Sequence, residues 1–148
     1  MNVEEIIKTK KEIPLETRTI IHLSLVSNRL NEAMGNALKP YEVSLQQFNV
    51  LRILRGQKGK PANLSTLNER MVSKMSNTTR LVDKLILKGF VRRCVCASNR
   101  RKVEIFITQE GEKALVKMSE SMKKAEENVI QNFTPKELRE LNQLLDKF

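Results

Sequence analysis

The chain is poor in residues that break or staple a fold, and poor in acid. Five glycines and four prolines among 148 residues are too few turn-formers for a many-stranded sheet, so helix is favoured. Two cysteines with one residue between them do not make the disulfide framework of a secreted domain. A chain of this size buries roughly 68–70% of the surface its unfolded form exposes and needs no such staple. No apolar run approaches the length of a membrane-spanning helix. The first eleven residues mix Glu with Lys around no apolar centre, so they do not read as a secretory signal, and the expected compartment is the cytoplasm. One histidine, His22, cannot by itself make a metal site; it reads as a packed or surface residue. Paired carboxylates, a nucleophile–base set and a Gly-rich phosphate loop are all missing from the pattern, so neither an enzyme nor a cofactor is expected.

What the chain has is base. Lys and Arg number 27 against 17 Asp and Glu, for a net charge of +10. The excess is concentrated: Arg70 to Lys102 holds ten basic residues against one acid, Asp83, and so carries nearly all of it. Charge placed in one stretch points to a polyanion, and nucleic acid is the first candidate.

Periodicity supplies the frame. Val3, Ile6 and Ile7 lie at helical spacing in residues 1–13, which form either a short docking helix or a frayed arm. Pro14 suits a helix start, and apolar residues recur at three- and four-residue steps from about 15 to 38, before Pro40. Ser44-Leu45-Gln46-Gln47 is a capping-box pattern opening a helix of about 45–56. Asn63 caps a short helix from Leu64 to Met71, and after a break a second runs from about Ser76 to Lys88, stopped by Gly89. Strands are expected over Phe90–Ala97 and Lys102–Thr108. Thr108 caps a long helix to about Phe133 with a 3-4-3-4 seam of Leu115, Met118, Met122, Ala125 and Val129. Thr134-Pro135-Lys136-Glu137 opens the last helix, apolar on one side through Leu138, Leu141, Leu144, Leu145 and Phe148.

Short helix, break, second helix and hairpin is the order of a helix-turn-helix with a wing. At about 100° per residue, Leu81, Val82, Leu85 and Ile86 share one side of the second helix and Asn77, Arg80 and Lys84 lie roughly opposite, with Ser73 and Ser76 near its start. Arg reads guanine with two parallel donors, and Asn reads adenine with a donor and an acceptor. At the hairpin tip, Ala97-Ser98-Asn99-Arg100-Arg101-Lys102 gathers three cations that repel one another. A narrow minor groove favours one inserted guanidinium, and its neighbours suit phosphates. Arg70, Lys74, Lys88, Arg92 and Arg93 are left as phosphate or solvent contacts.

Thr79-Arg80-Leu81-Val82-Asp83-Lys84-Leu85, Lys88-Gly89-Phe90-Val91-Arg92-Arg93, Ala97-Ser98-Asn99-Arg100-Arg101 and Ile107-Thr108-Gln109-Glu110-Gly111 together closely resemble the MarR family of multiple antibiotic resistance regulators, with its SlyA group. The likeness follows the element order over about 15–146, with its specific motifs inside 64–111. It implies a mainly α fold with a small β wing, in which residues 41–108 form a winged helix-turn-helix DNA-binding domain and residues 1–40 and 109–148 form the dimerisation helices. It implies a homodimeric transcriptional regulator, usually a repressor, acting on double-stranded DNA at an imperfect palindrome, with a small aromatic effector in many members. On this reading the helix contacts come from Ser73, Ser76, Asn77, Thr79, Arg80 and Lys84, and the wing contacts from Asn99, Arg100, Arg101 and Lys102. Two positions depart from the pattern. Asn99 stands where family wings commonly carry Asp, and an amide holds a guanidinium without charge-assisted strength. Val72 stands where the turn often has Gly.

Other readings share these residues. Cys94 and Cys96 lie on one face of the first strand with Cα atoms about 6.5–7 Å apart, at the limit for a disulfide, and suit either structural residues or a redox switch. Tyr41, Met34, Met118 and Met122 suit a core or dimer seam, or the lining of an effector pocket. Two broader alternatives are a basic nucleic-acid-binding module without sequence choice and a helical interaction protein solubilised by its charge.

Overall fold

Local capping rules fix most of the helix starts. The computed structural model describes residues 2–72, 77–96 and 99–148, with side chains for all of these except 96 and 99–102. Asn2 accepts from the Glu4 and Glu5 amides to begin α1 (Val3–Ile6). Val3 is fully buried and Glu4 pairs with Arg18 at 2.7 Å, so this segment is a docked helix and not an arm. Pro14 stands at the head of α2 (Leu15–Leu38), which passes into a single 3-10 turn over Lys39–Tyr41 containing Pro40. α3 (Leu45–Gly56) begins with the full Ser44/Gln47 capping box, and α4 (Leu64–Arg70) with the Asn63 side chain accepting from the Thr66 amide. α5 (Thr78–Leu87) begins two residues later than expected: Asn77, at φ −123° and ψ 29°, stands at the cap position without a side-chain cap bond.

β1 (Val91–Cys96) and β2 (Asn99–Ile107) form an antiparallel hairpin. β2 starts three residues earlier than its alternation suggests. The register pairs Val95 with Val103 and then Cys96 with Asn99, so residues 100–102 sit in a bulge within the ladder and not in an open tip. Ala62, in the α3–α4 loop, exchanges both backbone hydrogen bonds with Ile105 at 2.8 and 3.0 Å, anchoring the hairpin base. α6 (Gln109–Ile130) ends three residues short of Phe133, and α7 (Pro135–Leu145) begins with the Thr134/Glu137 capping box.

One core runs through these elements. Leu51 and Leu54 of α3, Leu67 of α4, Val82 and Leu85 of α5, Val91 and Ile105 of the hairpin, and Leu115, Met118 and Met122 of α6 are buried together. The α6 seam is therefore core within one chain, at least over its first half. By contrast, Leu15 and Ile20 of α2 are 73% and 59% exposed, and α7 has no buried residue. No helix among the described residues is long and apolar enough to cross a membrane.

The Arg18 guanidinium, hydrogen-bonded to Glu4, holds this carboxyl below the usual carboxylate range. A depressed folded-state pKa contributes docking stability above the unfolded value and loses it as pH falls through the folded one. Protection of the α1 amides, taken relative to their intrinsic exchange at each pH, should therefore fall on acidification below the ordinary glutamate range, and Glu4→Gln should show low protection at every pH.

Candidate nucleic-acid interface

α5 is buried along one side and exposed along the other. Thr78, Leu81, Val82 and Leu85 are buried, spaced so as to form a single stripe. At about 1.5–3 kcal/mol for each large apolar side chain, this stripe supplies most of the energy that seats the helix. Thr79, Arg80, Asp83, Lys84 and Leu87 are exposed on the opposite side. Arg80 and Lys84, one turn apart, have no ion-pair or hydrogen-bond partner among the described residues.

Polar fasteners set the position of this helix. The Thr78 hydroxyl donates to the Asn68 side-chain oxygen of α4, joining the two helices of the helix-turn-helix. Asp83 accepts from Arg93 of β1 at 2.7 Å, tying mid-helix to hairpin. Lys88 donates to Glu42 at 3.0 Å. Gly89, at φ +73°, reverses the chain: its amide reaches the Ile86 carbonyl at 2.9 Å and the Phe90 amide the Leu85 carbonyl at 3.0 Å, the two bonds of a Schellman stop. Exposed pairs such as Asp83–Arg93 contribute at most about 1 kcal/mol, so their effect is on orientation more than on stability.

These contacts revise the expected use of the basic stretch. Lys88 and Arg93 are engaged in ion pairs, and Arg92 lies over the Phe106 ring at 4.1 Å while donating to Cys94 Sγ at 3.0 Å. Arg92 and Phe106 are direct cross-strand partners, so the stacking follows from the register. Three of the five cations expected as phosphate or solvent contacts thus have partners within the fold. Arg70 is exposed at the end of α4. Lys74 lies outside the described residues.

Of the expected helix contacts, Asn77, Thr79, Arg80 and Lys84 are exposed on or beside α5, with Asn77 at the cap and not inside the helix. Ser73 and Ser76 lie outside the described residues. The backbones of Asn99, Arg100, Arg101 and Lys102 belong to β2, at the hairpin end; their side chains lie outside the described residues. Val72 is 90% exposed and is not among the residues with positive φ, so the turn entered from α4 does not need glycine there. Among the described residues, no group of three or more His, Cys, Asp or Glu could hold a metal ion.

Of the residues suited to an effector pocket or a core, Met118 and Met122 are buried in the core and Met34 and Tyr41 are partly buried against it, the Tyr41 hydroxyl bonding Ser121 Oγ at 2.9 Å and the Lys117 carbonyl at 3.2 Å. Grooves lie elsewhere among the described residues. One, of about 450 Å³, is lined by Asn31, Leu45, Gln46, Asn49, Met71 and Val72, at the end of α4. Another, of about 320 Å³, runs between α2 and the end of α6, past His22, Arg29 and Phe133. The Asp83, Asn68 and Glu42 fasteners were not found in the sequence, where each looks like an ordinary surface polar residue.

Residues 43–103, from the approach to α3 through the hairpin, match the model of the MarR family. The HTH-type transcriptional regulator PecS of Dickeya dadantii (strain 3937) is 30% identical over 128 residues, covering 84% of this chain and 76% of that protein. A MarR-like transcription regulator of Bacillus cereus ATCC 10987 superimposes with a TM-score of 0.80 at 24% identity, over 90% of this chain and 96% of that one. BpsR of Bordetella bronchiseptica, whose DNA binding is regulated by 6-hydroxynicotinic acid, does so with a TM-score of 0.79 at 17% identity, over 93% and 96%. With its winged helix-turn-helix, exposed α5 face and these relatives, the chain belongs to the MarR family of DNA-binding transcriptional regulators.

Proposed function

We propose that this regulator is a sequence-specific homodimeric repressor that reads an imperfect palindrome, with α5 in the major groove and the β1–β2 wing at the minor groove. The observation that carries this reading is the unpartnered Arg80/Lys84 face on a helix whose other side is buried. Arg80 is assigned to a base edge, Ser73, Ser76, Asn77, Thr79 and Lys84 to bases or phosphates beside it, and Asn99, Arg100, Arg101 and Lys102 to the wing contacts. Residues 41–108 are the DNA-binding unit, and residues 1–40 and 109–148 build the dimer. The uncovered apolar side chains of α2 and α7 support that assignment: Leu15 and Ile20 on the first, Leu144 at 57% exposed on the second, and Phe148 at 87% exposed beyond its end.

Release by a small aromatic effector is supported by the likeness to BpsR and by the groove beside Met71 and Val72, at the end of α4. A redox-responsive variant rests on a narrower observation, the Arg92 guanidinium against the Cys94 sulfur. DNA binding unchanged by peroxide and by Cys94→Ser with Cys96→Ser would remove it.

Duplexes selected by the protein from a random pool test the main reading. They should bind at least roughly 10³-fold more tightly than random duplex, with affinity falling steeply as salt rises. Arg80→Ala should relax preference at one base position per half-site by about 1–3 kcal/mol; an equal loss on all sequences would make Arg80 a phosphate contact. A monomer in sedimentation at micromolar concentration would overturn the dimer. Asp83→Ala should cost less than about 1 kcal/mol of stability. It should nonetheless raise affinity for random duplex, by removing the acid from a basic surface, while narrowing the ratio of selected to random binding. A ratio equal to that of the native protein would show that the Asp83–Arg93 pair does not align the helix.

A further inference from the structure

We infer that Thr108 is a positioning residue for DNA recognition: its hydroxyl locks the end of the recognition helix to the start of α6, so that α6 sets the spacing between the two recognition helices of the dimer. The inference rests on the proposed roles of α5 and of the dimer. It starts from one oxygen atom with two bonds. Thr108 Oγ1 accepts from the Gly111 amide at 3.0 Å, capping α6, and donates to the Gly89 carbonyl at 2.6 Å. Gly89 is the residue that stops α5. The Thr108 amide donates to the next carbonyl, Phe90, at 3.0 Å. Gly111 completes the joint by leaving out a side chain, since a Cβ there would overlap the Phe90 carbonyl oxygen. Two successive carbonyls at the end of one helix are thus held by the cap residue of another. An ordinary N-cap needs only the accepting half of this arrangement; the donated bond to Gly89 adds nothing to α6 and binds it to α5.

The lever is long enough to matter. α6 spans 22 residues, about 33 Å at the helical rise, and its first half is packed in the core through Leu115, Met118 and Met122. Its far half leads to the α7 surface proposed for dimerisation. A slack of about 5° at the joint moves the far end by about 3 Å, close to the rise of one base pair. Half-sites must lie about 34–36 Å apart or a multiple of it; slack of this size takes up the rise of one base pair but not its twist of about 35°, so it weakens a preference for one spacing without abolishing it.

Side chains at 108 separate the two bonds. Ser keeps both, Asp keeps the accepting cap and has no proton to donate, and Val has neither. The probe is a duplex selected by the native protein from a random pool, with versions carrying one base pair inserted or removed at its centre. Native protein and Thr108→Ser should discriminate against the altered spacings by about tenfold or more, while Thr108→Asp and Thr108→Val should show that discrimination reduced by about threefold or more. Helix content and sedimentation of Thr108→Asp should match those of the native protein, because the cap is kept. An Asp variant with native discrimination, a Ser variant without it, or an Asp variant that unfolds would each overturn the inference. Should the native protein itself ignore spacing, the dimeric reading falls and takes this inference with it; Arg80→Ala relaxing base preference while all Thr108 variants keep their spacing profile overturns the inference alone.

Discussion

The structure depends on seating a ten-residue helix from one side only. A helix proposed to read DNA must leave most of its outer face free for a groove, so what holds α5 acts through Thr78, Leu81, Val82 and Leu85, the mid-helix Asp83–Arg93 pair and its two ends. Burial of the apolar stripe supplies several kcal/mol but leaves rotation about the helix axis loosely set, since hydrophobic contact is non-directional. Direction comes from the polar fasteners: Thr78 on Asn68, Asp83 on Arg93, Lys88 on Glu42 and Gly89 on Thr108. Each contributes little free energy alone, and together they meet the helix at its start, middle and end. Division of labour between strong undirected burial and weak directed bonds is what lets a short helix keep a fixed pose without covering its outer face.

That division also explains where the charge goes. A basic stretch of ten cations is a solubility and repulsion problem as well as a binding surface. Pairing Arg93 with Asp83 and Lys88 with Glu42, and stacking Arg92 on Phe106, ties three of them into the fold. The charge of these residues still contributes to the long-range field that draws DNA, yet their side chains are not free to search the surface of the duplex. On the proposed reading, sequence choice falls to a smaller set around Arg80.

How much of this was legible in the sequence follows from the range of the signals. Caps act over three residues, and the Ser44, Asn63, Thr108 and Thr134 starts and the Gly89 stop were all readable from local pattern. The apolar stripe of α5 was readable from its 3.6-residue period. Boundaries decided by tertiary contact were not. β2 starts at Asn99 because the hairpin ladder resumes across a bulge, a register that alternation from Val103 onward does not encode. Asp83 reaches Arg93 ten residues on, across a helix, a turn and a strand, so no fixed spacing advertises the pair. Thr108 was legible as a cap; the second bond of the same hydroxyl, nineteen residues back to Gly89, was not.

The α6 seam shows why the distinction matters for function. A 3-4-3-4 apolar pattern is compatible with a dimer coiled coil or a core, and Leu115, Met118 and Met122 are committed to the same core as Leu51 and Leu85. Those residues cannot slide against a second chain without disturbing the seat of α5. The contacts of the proposed dimer then fall to the surfaces the core does not use, on α2 and α7. An element that is core at one end and reaches the proposed interface at the other transmits position rigidly, because close-packed interiors deform little. In the proposed dimer, any event that moves the two chains relative to each other must then either tilt both α5 helices through the bonded joint at Thr108 or break a packed contact.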